Sequence, residues 1–217
     1  MLRKIAFVLL GIGLLTSLVL YAQSGDTKAG KVSVSGENPG IRLLMKEGGT
    51  PITSTSFWRV VYSPFGMGHV CYLTTDITGN GPSNDDLRAA FTDNDQLADY
   101  ISKEIMTVFD KVYVEKPFTK VKASFQKSGD TVKEWKETIK SDKYTIELIW
   151  RDFSEPFLID TPVGGRFRYG VASMILPAKS ADVVINGTKA AGKPYPQMFG
   201  QMQNSTASLA FSETWVK

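Results

Sequence analysis

Apolar and polar positions alternate along most of the chain from residue 56 onward. Over 57–62, Trp58, Val60 and Tyr62 share one face, and a second alternation covers 69–75 after the turn-forming run Ser63-Pro64-Phe65-Gly66-Met67-Gly68. Two such runs around a short Gly-rich loop predict a β-hairpin. From residue 111 the period of two returns. Val121, Ala123 and Phe125 alternate with lysines, then Trp135, Glu137 and Ile139 follow, then Tyr144, Ile146, Leu148 and Trp150. Further strands fit 157–159, 167–176, 181–185 and 208–216. Strands of this length at about ten-residue spacing, joined by turn signals, predict a mainly β fold: an antiparallel barrel or closed sandwich of eight or nine strands.

One stretch breaks the period. The loop Asp76-Ile77-Thr78-Gly79-Asn80-Gly81-Pro82-Ser83-Asn84-Asp85 ends in residues suited to capping a helix, and a helical insertion is expected over 85–109. Its first segment would run from Asp85 to Phe91. Its second, from about Asp95, carries Leu97, Ile101, Ile105 and Val108 at helical spacing. Residues 25–55, rich in Gly, Ser, Thr and Lys, read as a flexible start with one or two short strands, ahead of a single domain over 56–217.

The first 24 residues have another character. Arg3 and Lys4 precede an apolar run, and Ala22-Gln23-Ser24 supplies small residues for cleavage, the three parts of a secretory signal peptide. Secretion or a periplasmic location follows, with membrane attachment only if the leader is kept. The leader holds two of the 25 basic residues and none of the 22 acidic ones, so the remainder carries 23 against 22, a balance of +1. Such a chain has no global field to gather phosphates, and nucleic acid is not an expected partner.

The chemistry on offer is sparse. His69 is the sole histidine and Cys71 the sole cysteine. Both fall on one face of the second hairpin strand, opposite Val70 and Tyr72 and about 7 Å apart, beyond hydrogen-bond reach. One His and one Cys do not make a zinc site, so no metal is assigned. Asp76, Thr78, Asn80 and Gly81 match the start of a calcium loop, but Leu87 stands where a bidentate Glu is required. No nucleotide motif or other cofactor signature is present. Asn186-Gly187 reads as a two-residue hairpin turn.

What remains is aromatic content. Trp58, Tyr62, Tyr72, Trp135, Tyr144, Trp150, Tyr169 and Trp215 lie on expected strands, and a barrel of this size is wide enough to hold one hydrophobic small molecule between such walls. Arg151, Arg166, Arg168, Glu147, Glu213 and Asp160 would orient a polar end. The closing run, from Tyr169 through Asp182-Val183-Val184-Ile185-Asn186-Gly187 to Phe211-Ser212-Glu213-Thr214-Trp215, resembles the calycin superfamily of lipocalin-like barrels. Within it the run is loosely similar to the carotenoid hydratase and hydroxyneurosporene synthase group. That resemblance implies a barrel with a ligand cavity; the Gly-x-Trp signature of lipocalins is missing. Two functions are therefore expected in order: a non-enzymatic binder of an apolar or aromatic molecule, or an isomerase, hydratase or cyclase using His69, Glu147, Asp160 or Glu213 as acid and base. A structural surface module stays open as a third.

Overall fold

The computed structural model describes residues 31–81, 87–164 and 168–217. The expected leader, the first two residues of the expected helical insertion, Arg166 and Phe167 lie outside them. Fifteen strands are present among the described residues: β1 (Val32–Glu37), β2 (Gly40–Leu44), β3 (Pro51–Tyr62), β4 (Gly68–Thr75), β5 (Leu87–Thr92), β6 (Thr119–Lys122), β7 (Ser124–Gly129), β8 (Glu134–Lys140), β9 (Thr145–Phe153), β10 (Phe157–Thr161), β11 (Gly170–Ile185), β12 (Thr188–Lys189), β13 (Pro196–Phe199), β14 (Met202–Ser205) and β15 (Ala207–Val216). Helix α1 (Asp95–Tyr100) continues through a π turn at Ile101–Ile105 and a 3₁₀ turn at Met106–Val108, and α2 (Val112–Glu115) follows.

Thirteen strands form one sheet, whose main path runs β6-β5-β4-β3-β1-β15-β11-β9-β8-β7; β13 and β14 make a separate hairpin. The fold is mainly β as the alternation predicts, but the barrel is not closed and the strands number fifteen rather than eight or nine. The cause of the open path is local. Its two edges, β6 and β7, are consecutive in sequence and separated by Ala123 alone. They cannot pair with each other, because an antiparallel return needs a turn of at least two residues. Instead the strand changes partner at Ala123: β6 runs parallel to β5, Ala123 donates its N–H to the Thr92 carbonyl, and β7 pairs antiparallel with β8.

The expected hairpin is β3 and β4, in register from Thr53 opposite Thr75 to Val60 opposite Gly68. The expected helix over 85–91 is instead the strand β5. Ala89 and Phe91 face the inner core and Ala90 the outer one, so both faces are covered and the six residues show no polar stripe to betray their period. The second helix starts as predicted. Asn94 caps it by accepting the Leu97 N–H at 3.0 Å, while its amide donates to the Phe65 and Met67 carbonyls and ties down the β3–β4 loop. In the expected flexible start, β1 and β2 lie between β3 and β15 inside the sheet. Residues 167–176 and 181–185, expected as two strands, are one strand, β11, from Gly170 onward.

Each face of the sheet has its own core. Ile41, Phe57, Leu73 and Phe91 from β2 to β5 pack against Ile139, Leu148, Trp150 and Val183 from β8, β9 and β11, across the inside of the curled sheet. On the outer face, Trp58, Val70 and Tyr72 pack against Leu97, Ile101 and Ile105 of the helical segment, with Tyr169 and Trp215 alongside. The strands β1 and β3 meet at a register shift beside Gly36, where a side-chain Cβ would stand 2.1 Å from the Arg59 carbonyl oxygen and 2.9 Å from the Val60 Cα. Both obstacles are backbone, so Gly36→Ala forces the strands apart. It is expected to destabilise the protein by about 1–3 kcal/mol or more, read as a lowered urea midpoint.

Candidate functional site

A groove of about 880 Å³ opens where the inside of the curled sheet meets solvent. It lies between the tip of the β7–β8 hairpin (Thr131, Val132), the β9–β10 connection (Phe153 to Phe157), β11 (Met174, Leu176), β14 (Met202, Gln203) and Phe211 of β15. Its floor is continuous with the inner core. Leu176 belongs to that core, Phe153 and Phe211 pack against it, and the Phe211 ring stands edge-on to Trp135 at 5.2 Å. Large apolar side chains of the groove are left in contact with water: Val132 is 81 % exposed, Met174 39 % and Met202 44 %.

The geometry of β11 creates this opening. Up to Pro177 the strand pairs with β15, and from Ala178 onward with β9. Pro177 has no N–H to give the ladder, and its carbonyl accepts from Ser154 in the β9–β10 connection at 2.8 Å. Leu176, Ala178, Ala181 and Val183 all belong to the inner core, so the alternation slips by one residue and Lys179 is turned outward at the slip. A smaller alcove of about 160 Å³, bounded by Pro177, Tyr195, Pro196 and Asn204, joins the groove there; Ser154, Lys179 and Gln203 line both.

A polar cluster lies on the inner side of the sheet next to Trp135. Glu137 on β8 is fully buried and accepts from the Arg59 guanidinium of β3 at 2.7 Å and from the Trp135 indole at 3.0 Å. Arg59 also pairs with Glu37 of β1. Burial pushes the Glu137 carboxyl above its ordinary range, against the opposing pull of Arg59 and Trp135. Sequence reasoning placed Glu137 on the Trp135 face but did not single out Arg59. Its signal is the phase of β3, where Arg59 falls on the same face as Phe57.

The aromatic residues expected to line one cavity are divided between the two cores. Trp135 and Trp150 are part of the inner core and Tyr144 packs against it, whereas Trp58, Tyr72, Tyr169 and Trp215 belong to the outer one. Tyr62 is 48 % exposed. A sheet covered on both faces uses its aromatics twice, and the alternation does not say which face is which. The acid–base candidates are also scattered. Glu147 pairs with Lys136, Asp160 is exposed on β10, and Glu213 is buried, accepting from Asn38 at 3.1 Å and from the Trp215 indole at 2.7 Å.

His69 and Cys71 share a face opposite Val70 and Tyr72, as the period predicts. Cys71 is buried and its thiol is pushed far up by burial, which removes it as a nucleophile. His69 is held at the rim: Asp93 accepts from its backbone N–H at 2.6 Å and contacts Nδ1 at 2.7 Å, while its ring stacks on Phe125. Of the remaining polar candidates, Arg151 bridges Glu134 and Asp182, and Arg168 pairs with Glu104. The Asp76 carboxylate is taken by the backbone N–H groups of Gly79, Asn80 and Gly81, so the calcium-like run is a self-capped turn. Asn186-Gly187 closes the β11–β12 hairpin, both residues at positive φ.

No protein-family model, curated protein or solved structure matches the chain. Among the described residues no helix is long and apolar enough to cross a membrane.

Two stability experiments test the buried charges. Arg59→Leu leaves Glu137 without its cation and is expected to cost about 3–5 kcal/mol, most of which Arg59→Leu/Glu137→Leu restores, because an apolar pair needs no solvation; urea midpoints of the four proteins in the cycle read this. Burial raises the Glu213 carboxyl above its ordinary range, and among the described residues no cation pairs with it. A raised acid favours the fold below its unfolded pKa and loses that contribution as pH climbs through the folded value. Glu213→Gln removes this dependence. The stability of the variant relative to the parent should therefore grow from pH 4 to pH 8 in parallel urea titrations.

Proposed function

We propose that the chain is an exported binding protein that takes an apolar or aromatic small molecule in the groove at the open end of the curled sheet. The observation that carries this reading is the exposure of Val132, Met174 and Met202 beside Phe153, Leu176 and Phe211 in a groove of about 880 Å³. That size is within the range of small-molecule sites, and an apolar lining with a few polar groups is what such sites use. Methionine suits the role, since its unbranched, polarizable side chain adapts to ligands of different outline. The leader expected from the sequence supports export, and the lipocalin-like character of the closing strands points in the same direction. Relative to the sequence reading, the ligand moves from the barrel centre, where Trp135 and Trp150 are packed, to its mouth.

A neutral naphthylamine dye tests the reading by its fluorescence rise on binding. It is expected to bind in one-to-one ratio, and Met174→Glu to weaken it about tenfold or more, because a carboxylate on the groove wall must be desolvated when the dye docks. The melting temperature should stay unchanged, as Met174 is part-exposed, and Met67→Glu on the far-off β3–β4 loop should bind normally. Equal dye affinity in Met174→Glu and the parent sinks the proposal.

A further inference from the structure

A second pocket, of about 210 Å³, lies on the outer face of the sheet and shares no residue with the groove. It opens between α1 with its π turn, α2 and β6. Tyr72 of β4, Tyr113 of α2 and Phe118 form an aromatic wall. Tyr72 stands edge-on to the other two at 5.4 and 5.2 Å, and those two stack at 5.4 Å. Two buried alanines, Ala90 of β5 and Ala98 of α1, line the pocket from the sheet and from the helix, and their methyl groups leave room before the rings.

Hydrogen bonds to backbone hold these walls apart. The Tyr72 hydroxyl donates to the Ala98 carbonyl, the acceptor that a continuing α-helix offers to Ser102, and the helix widens into its π turn from Ile101. The Ser102 hydroxyl reaches across to the Tyr113 carbonyl at 3.1 Å and sets the spacing of the helix and α2. Arg88 of β5 donates to the Lys116 and Val112 carbonyls and lies over the Phe118 ring at 3.9 Å, which fixes that ring. At the rim Asp99 and Lys120 pair with each other at 3.1 Å, and Lys103 is exposed. An apolar cavity of about 150 Å³ takes one benzene ring, and drug-sized ligands use about 300 Å³ or more, so the pocket is of single-ring size.

We propose that this pocket binds a free single-ring aromatic molecule, its ring packed among Tyr72, Tyr113 and Phe118 and its polar substituent at the Asp99–Lys120 rim. The site is independent of the groove. A guest ring adds edge-to-face contacts to a wall already built of them, which distinguishes it from a saturated ring of the same outline. Asp99 accepts a hydrogen bond from a hydroxyl substituent, and Lys120 donates one to its oxygen.

The test follows the backbone amides of Ala90, Ala98 and Ser102 in the isotope-labelled full chain during titration with phenol, cyclohexanol or N-acetylphenylalaninamide. Phenol is expected to shift all three and to bind about threefold to tenfold more tightly than cyclohexanol, the gain of an aromatic pair. Ala98→Leu fills the pocket from the helix and should weaken phenol by about tenfold or more. Ala90→Val, a smaller filling from the strand, gives the same reading should the first variant not fold. Met174→Glu in the groove should leave the phenol shifts unchanged. Absence of shifts at these amides, phenol no tighter than cyclohexanol, or phenol affinity unchanged in the filled variants overturns the proposal. Shifts produced by N-acetylphenylalaninamide and not by phenol overturn it in favour of an aromatic side chain of a partner protein. Loss of the phenol shifts in Met174→Glu overturns it in favour of the groove.

Discussion

A carboxylate without exposed surface sits inside the curled sheet, and the guanidinium that answers it comes from the other side. Glu137 is on β8 and Arg59 on β3, and four strands separate them along the sheet: β1, β15, β11 and β9. Five steps of about 4.8 Å would place β3 and β8 roughly 24 Å apart in a flat sheet. Contact at 2.7 Å requires the sheet to turn fully back on itself. The pair is thus an index of the curl, and it contributes to it. An unpaired carboxylate in that interior is costly, so every arrangement that keeps Glu137 buried must also bring β3 across to meet it. Glu37 completes the tie by holding Arg59 from β1, and the Trp135 indole fixes the other oxygen.

The inner core and the groove follow from this closure by side chains rather than by a ladder. With β6 and β7 continuous through Ala123, the seam is joined covalently at one point and by contacts elsewhere. His69 of β4 stacks on Phe125 and Phe57 of β3 meets the same ring edge-on, so a side chain of β7 covers β3 and β4 where hydrogen bonds are missing. At the other end the strands diverge. There Met174 of β11 and Phe211 of β15 stand opposite each other and line the groove, with the Trp135 ring against Phe211.

Much of the architecture was legible because it is local. The β3–β4 hairpin, the capped start of α1 and the Asn186-Gly187 turn each follow from a few adjacent residues. What was not legible depends on distant partners. β5 is six residues covered on both faces, and nothing within it distinguishes a strand from a helical turn. The continuity of β11 across Pro177 is hidden because proline is disfavoured within a ladder, and it is tolerated here where the strand changes neighbour. The inner charge pair could be glimpsed from the parity of Arg59 and Glu137, yet parity does not say that the two strands meet. The groove escaped notice for a related reason. Met174, Met202 and Phe211 stand on three strands that only the curl brings together, and no spacing in the sequence links them.

The Ser35 hydroxyl of β1 bonds that of Thr214 in β15, a contact spanning 179 positions. β15 occupies the middle of the sheet, between β1 and β11, so a nascent chain lacking it has two half-sheets with bare edges and no shared interior. The whole sheet therefore closes only once β15 has been made, and a contact this remote closes slowly even then. β15 is the clasp that joins the two halves of the sheet.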